Sequence, residues 1–186
     1  MKDAKLMLDT IARRRTVHRF EDREVDQGIL EQVLETAMFA PTRFGQRPWH
    51  FLVVREPALK ARLIELLEPR RGLAGNPVLV AVALDADVPS LVVQVDAAAA
   101  TQTLLLAATA VGLGSAWIGS PDDADWKLAV GELLAAVKAP PGIKVASVVA
   151  LGWPAEELPA HDPDETYEQA RVNFDVWHRT EGVATD

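Results

Sequence analysis

Three groups of residues in this chain are of types that hold or transform a small ligand. Arg13, Arg14, Arg15 and Arg19 place four guanidinium groups within seven residues. Cations at a helix C-terminus interact favourably with its dipole by roughly 0.3–1 kcal/mol each, but four exceed what capping requires. Guanidinium groups also pair bidentately with phosphate oxygens. The second group is the loop Thr42-Arg43-Phe44-Gly45-Gln46-Arg47, rich in donors and poor in apolar anchors. The third is Gly119-Ser120-Pro121, which follows the apolar run Ala116-Trp117-Ile118 and would expose backbone amides at a strand's end, where open α/β sheets place ligands. Against a net charge of -8, such basic islands point to an anionic small molecule. Nucleic acid is disfavoured, because binding it nonspecifically needs a basic surface. Arg70 and Arg71 read as a solvated loop, with a clamp for a nicotinamide phosphate as the open alternative.

Other chemistries find no support. With no cysteine there are no disulfides, thiol nucleophiles or thiolate-bound metals. His18, His50, His161 and His178 lack metal-ligand spacing. Ser115 and Ser120 lack the GxSxG context of a nucleophile elbow. Gly112-Leu113-Gly114 follows a helix and precedes a strand, the reverse of the order a dinucleotide fingerprint requires. No phosphate-loop motif occurs. The residues Met1 to Lys5 lead into an amphipathic helix without the apolar run of a secretory leader, and together with the missing cysteines this favours the cytoplasm.

The elements that must position these groups centre on the stretch from Asp96 to Ser120, which has no charged side chain between Asp96 and Asp122. Leu104, Leu105 and Leu106 among many alanines cover every side of a helix, so it is either buried or spans a membrane. Acidic flanks and an Ala-, Thr- and Gln-rich body exclude the membrane. Ser90 caps this central helix, and the Gly112 region ends it. Before it, Asp3 opens a first helix with Leu8 and Ile11 on one face, Val17 to Phe20 is extended, and Asp26 caps a second helix that Pro41 stops. Trp49 to Val54 is a strand, Pro57 opens a third helix, and Val78 to Leu84 reads as a buried strand. After it, Asp122 caps a helix burying Trp126 and Leu133. Ile143 to Leu151 is the last strand, and Asp164 to Trp177 is an amphipathic segment with Tyr167, Arg171, Phe174 and Trp177 at helical spacing. Trp126, Trp153 and Trp177 are core or dimer anchors, and His50 is a structural residue beside Trp49. The element order gives one α/β domain.

Four blocks in this order resemble the nitroreductase-family flavoproteins. Arg14-Arg15-Thr16-Val17-His18-Arg19-Phe20 is similar to their RRS-(V/I)-R-x-F opening, and Ala40 to Phe51 to their APS-x-x-N-x-QPW-x-F segment. Leu104 to Gly119 resembles L-L-A-A-x-x-x-G-L-G-S-x-W-I-G, and Val149 to Pro154 resembles the closing A-L-G-Y-P strand. The resemblance implies an α+β three-layer sandwich, a mixed or antiparallel sheet flanked by helices with a buried central helix. The blocks cover most of the chain from Ala12 to Pro154; residues 1–180 read as one domain and 181–186 as a disordered tail, and the resemblance implies a homodimer with FMN at the subunit interface. Arg14, Arg15 and Thr16 are then expected to hold the FMN phosphate and His18 to lie near the N1/O2 edge of the flavin. Arg43, Gly45 and Arg47 are expected to reach the flavin from the other subunit, and Trp117, Ile118 and Gly119 to border its ring with backbone amides. The implied activity is NAD(P)H oxidation by ping-pong hydride transfer through flavin N5 to a nitroaromatic, quinone or similar small-molecule acceptor. The alternative is a flavin- or deazaflavin-binding module with little turnover.

The sequence departs from this pattern at specific places. Gly45 stands where Asn is usual and removes an amide. Arg47 stands where Gln is usual, and either donates to the flavin or occupies substrate space. His18 replaces Arg or Lys. Near the C-terminus, where a phosphate-binding cation is common, only Arg171 is a candidate.

Overall fold

In the computed structural model, which describes residues 2–68, 72–85, 87, 90–119, 124–175 and 177, the sheet is assembled around its most deeply buried strand. Val-Leu-Val-Ala-Val-Ala-Leu forms β2 (Val78–Leu84), and all seven residues are buried. β1 (Trp49–Val54) pairs along one side of it and β4 (Lys144–Gly152) along the other, so that Val80 lies between Val53 and Val149. β3 (Gly114–Ile118) closes the far side of β4, giving the order β1-β2-β4-β3. Every pairing of these strands is antiparallel. The element order alone suggested α/β; the antiparallel pairing makes the fold α+β.

Successive side chains on a strand face opposite sides, and here both sides are covered. Leu79, Ala81, Ala116, Ile118 and Val148 pack with Leu63, Leu67, Trp126 and Leu133. The two helices on that face are α3 (Pro57–Leu67) and α5 (Ala124–Ala136). Val78, Val80, Val149 and Leu151 pack on the other face with Leu30, Val33, Leu104 and Ala108. Those residues belong to α2 (Gln27–Ala37) and α4 (Ser90–Ala110). The result is the expected three-layer sandwich.

The alanines of α4 let its backbone approach the sheet, and Thr101 makes the join polar. Its hydroxyl lies 2.7 Å from Ser147 Oγ on β4 and donates to Ala97 O. The helix ends where the Leu113 N–H donates to Ala108 O, with Gly112 in the left-handed region at φ +84. One expectation fails: α4 is not covered all round. Gln94, Val95, Ala98 and Gln102 form an exposed stripe, with Val95 62% exposed. The neighbouring α1 (Lys2–Arg13) likewise exposes Leu6, Met7, Leu8 and Ile11, so the face shared by Leu8 and Ile11 is uncovered in a single chain. Asp3 lies in the first turn of α1 rather than ahead of it. Among the described residues, no helix is long and apolar enough to cross a membrane.

The C-terminal segment also differs from expectation. Asp162 accepts the Asp164 N–H and opens α6, which stops after one turn (Pro163–Thr166), and a second short turn covers Gln169–Arg171. Tyr167, Phe174 and Trp177 are mostly exposed. Their helical spacing finds no surface to pack against, and a short helix without a buried face is unstable in water. Trp126 is core, as expected, while Trp153 is half-buried beneath the Arg23 guanidinium at 3.9 Å. The Asp122 cap, Ser120, Pro121, Arg70, Arg71, His178 and the tail 181–186 lie outside the described residues, and so does the side chain of Ser90.

The start of α3 carries a measurable pH signature. The Glu56 carboxylate accepts the Ala58 and Leu59 N–H groups, which holds its pKa below the usual value. A depressed folded-state pKa gives stability that is present above the ordinary glutamate pKa and lost as pH falls through the lower folded value. Glu56→Ala is therefore expected to lower Tm at neutral pH. The gap from the parent protein should close on acidification, as thermal melts across pH 3–7 would record.

Candidate functional site

The arginine-rich segment leaves α1 and runs along the outer edge of the sheet. The Val17 N–H donates to Ser115 O at 2.9 Å, which pairs Thr16 with Ser115 in parallel. Further on, the Phe20 N–H donates to Ala74 O, the Ala74 N–H to His18 O, and the Ala155 N–H to Arg19 O. Val17 and Phe20 are buried and anchor the segment. Such close approach depends on Gly114, where an added Cβ would lie 2.8 Å from Val17 Cγ2.

The extended backbone sends neighbouring side chains in opposite directions. Arg15 and Val17 line a cleft of about 150 Å³ with Arg13, Gly112 and the carboxylates Glu156 and Glu157. Arg15 also donates to Pro159 O at 2.5 Å. Arg14 is half-buried and does not line this cleft, so the two arginines diverge. Arg14 shares its side of the segment with Thr16. Nearby, three buried polar atoms have no partner among the described residues: Ser115 Oγ and both ring nitrogens of His18. Buried polar groups are almost always hydrogen-bonded, so these atoms call for partners beyond the described residues.

β3 is an edge strand, and its outer backbone groups are available. Because Ser115 O faces outward to Val17, alternation along the strand turns the N–H and C=O of Trp117 outward too, and those of Gly119 beyond the strand's end. Trp117 is 45% exposed, whereas the Ile118 side chain is core, so only the Ile118 backbone is near the edge. Gly119 has φ +88, and an added Cβ would meet the Trp126 ring at 2.6 Å. Only glycine fits there. Four residues of strand separate Ser115 from Gly119, about 13 Å.

The loop before β1 is held from below by a buried acid. Asp96, 5% exposed, accepts the Thr42 hydroxyl at 2.7 Å and the Arg43 N–H at 3.3 Å. The Thr42 Oγ1 in turn accepts the Arg47 N–H at 3.3 Å. This relay holds Gly45 at φ +70 and Arg47 at φ +48. A left-handed arginine is unusual, and one directly before proline is doubly disfavoured. The strain is on the order of 1–3 kcal/mol. Arg43, Gly45 and Arg47 are all exposed.

Within one chain the expected site residues form two groups. Arg14, Arg15, Thr16, His18 and Trp117 to Gly119 lie along β3, while Arg43, Gly45 and Arg47 precede β1. β1 and β3 are opposite edges of the sheet, separated by three strand spacings, roughly 14 Å. Sequence reasoning missed Asp96 as the anchor of the loop and Ser115 as an unpartnered group. The signal for Asp96 was present: it is the single charged residue in the stretch from Val88 to Pro121. His50 is exposed rather than packed, with Nε2 2.9 Å from Asp85 Oδ1. The pair sits at a cavity of about 350 Å³ floored by Leu52, Ala83 and Ile143, remote from the arginine segment. Among the described residues no His, Asp and Glu cluster could hold a metal.

Residues 11–70 and 65–153 match the sequence profile described as the nitroreductase family. A protein of Archaeoglobus fulgidus assigned by name as an NADH dehydrogenase/NAD(P)H nitroreductase is 31% identical over 173 residues, covering 91% of this chain and 98% of its own length. A crystal structure from Parabacteroides distasonis with the same assignment superposes with a TM-score of 0.80 at 25% identity, covering 92% of this chain and 98% of that one. A nitroreductase structure from Desulfovibrio desulfuricans, in complex with FMN, has a TM-score of 0.68 at 27% identity, covering 84% and 90%.

Removing the buried acid tests how the loop is held. Asp96→Ala is expected to cost about 1.5–3 kcal/mol, the range for a hydrogen bond to a charged acceptor. Amide hydrogen exchange at Arg43 and Arg47 should accelerate at least tenfold, while β2 amides change only in step with global stability.

Proposed function

The chain belongs to the nitroreductase family, and from that premise we propose that it is an FMN-dependent NAD(P)H oxidoreductase working as a homodimer. One observation carries the reading: a phosphate-matching segment and a row of open backbone groups share one edge strand, about 13 Å apart. The donor set fits FMN. Arg14, Arg15 and Thr16 supply cations and a hydroxyl for a dianionic phosphate. The orphaned Ser115 Oγ and His18 nitrogens offer unfilled polar partners nearby. The outward backbone of Trp117 and Gly119, with the Ile118 peptide between them, suits the polar rim of a flat ring, with the Trp117 side chain alongside. The unpartnered ring nitrogens of His18 suit hydrogen bonds to the polar edge of that ring.

Bound FMN supplies a two-electron carrier between the nicotinamide and an acceptor that use the same pocket in turn. The net reaction balances as NAD(P)H, a proton and a quinone giving NAD(P)+ and the hydroquinone; a nitroaromatic gives its nitroso product and water. The protein groups bind and orient the reactants and exclude water. Acid–base side chains are not required at the reacting atoms.

The second copy follows from the split site. Arg43, Gly45 and Arg47 stand at the opposite sheet edge from the arginine segment, so they complete the site only from a partner chain. The uncovered apolar faces of α1 and α4, with Leu6, Leu8, Ile11 and Val95, supply an interface. Residues 1–180 act as one unit in this reading, and the cysteine-free composition suits a reducing cytoplasm.

The purified protein is expected to be yellow, or to become so with FMN, and to bleach on anaerobic addition of NADH or NADPH. Tight flavin binding without bleaching would instead favour the binding-module alternative, and failure to bind flavin at all would end both. Arg14→Ala should weaken FMN binding roughly 10- to 100-fold. Arg15→Ala should weaken it less, because Arg15 is already committed to Pro159 O and shares its cleft with two carboxylates. Light scattering should return twice the chain mass, 2 × 20.2 kDa, and Leu8→Glu with Val95→Glu should shift it toward the monomer.

A further inference from the structure

We infer that Arg47 selects acceptors carrying an anionic substituent, a ring carboxylate or sulfonate beside the reducible group. The inference rests on the reading of the site given above and names the substrate class it serves. Arg47 is held at φ +48, ahead of Pro48, by a hydrogen bond from its own N–H to Thr42, which is fixed by the buried Asp96. Glycine would adopt this backbone without strain. An arginine kept there is explained by what its side chain does.

That side chain is exposed, and among the described residues no hydrogen bond or ion pair engages its guanidinium. The acids tied to the same loop are committed elsewhere. Asp96 accepts the Thr42 hydroxyl and the Arg43 amide. Asp85, whose N–H donates to Pro48 O, pairs its carboxylate with His50 at 2.9 Å. The whole chain is acidic, at -8, and its general field repels anions. An exposed guanidinium on this restrained backbone reverses that preference locally. Its planar fork pairs bidentately with a carboxylate or sulfonate.

The test uses the FMN-loaded protein and two acceptors that differ only in the anion, 4-nitrobenzoate and nitrobenzene. Its binding readout is the dissociation constant of benzoate, an inert probe, from the flavin absorbance. Wild type should prefer 4-nitrobenzoate in kcat/KM. Arg47→Gly, which relieves the backbone strain, should reduce the ratio of the two kcat/KM values roughly 10- to 100-fold and weaken benzoate binding to match. The change should appear in KM for the anionic acceptor, and Arg47→Lys should restore part of it. An unchanged ratio in Arg47→Gly, or a wild type that treats both acceptors alike, overturns the inference and leaves the oxidoreductase reading standing. A wild type that holds no FMN removes that reading and this inference together.

Discussion

One backbone hydrogen bond, from the Val17 N–H to Ser115 O, fixes where the arginine-rich segment meets the sheet. It fastens a segment carrying four arginines to the outer edge of β3, beside a strand whose other outward groups are left open. The bond is possible because Gly114 has no side chain where Val17 must pass. With any larger residue the segment would stand off the sheet. Thr16 would then lose its pairing with Ser115. An exposed strand edge is ordinarily an aggregation hazard; here it reads as a binding surface, shielded at one end by the arginine segment.

The second constraint is the buried carboxylate of Asp96. It lies on a helix that otherwise presents alanine, leucine and threonine to the sheet, and it is satisfied by a hydroxyl and an amide of one loop. A buried carboxylate without partners is costly, so the loop and the helix hold each other in place. The consequence reaches Arg47, whose left-handed backbone is maintained through Thr42. Strain stored in an exposed loop and restrained from the core is the arrangement expected of a ligand contact. In the same chain this loop and the arginine segment sit at opposite sheet edges.

Much of this was legible in the residues. Local rules placed all four strands within a residue or two, because the apolar runs were bounded by proline and glycine. Pro57 and Gly112 marked helix boundaries for reasons that act within a few residues. The arginine cluster and the Gly119 turn were recognisable by composition. The C-terminal aromatics do not form one helix because helical spacing specifies a face without supplying a partner for it, and among the described residues Tyr167, Phe174 and Trp177 stay exposed.

The sequence by itself determined which segments become helix or strand and which side chains suit an anion, since propensity, capping and charge are local properties. The tertiary structure decided the antiparallel order of the strands, the divergence of Arg14 from Arg15, the pinning of Thr42 by Asp96 and the uncovered stripe on α4. Each of these depends on contacts between residues far apart along the chain, where a periodic pattern says that a surface is apolar or charged but not what it will meet.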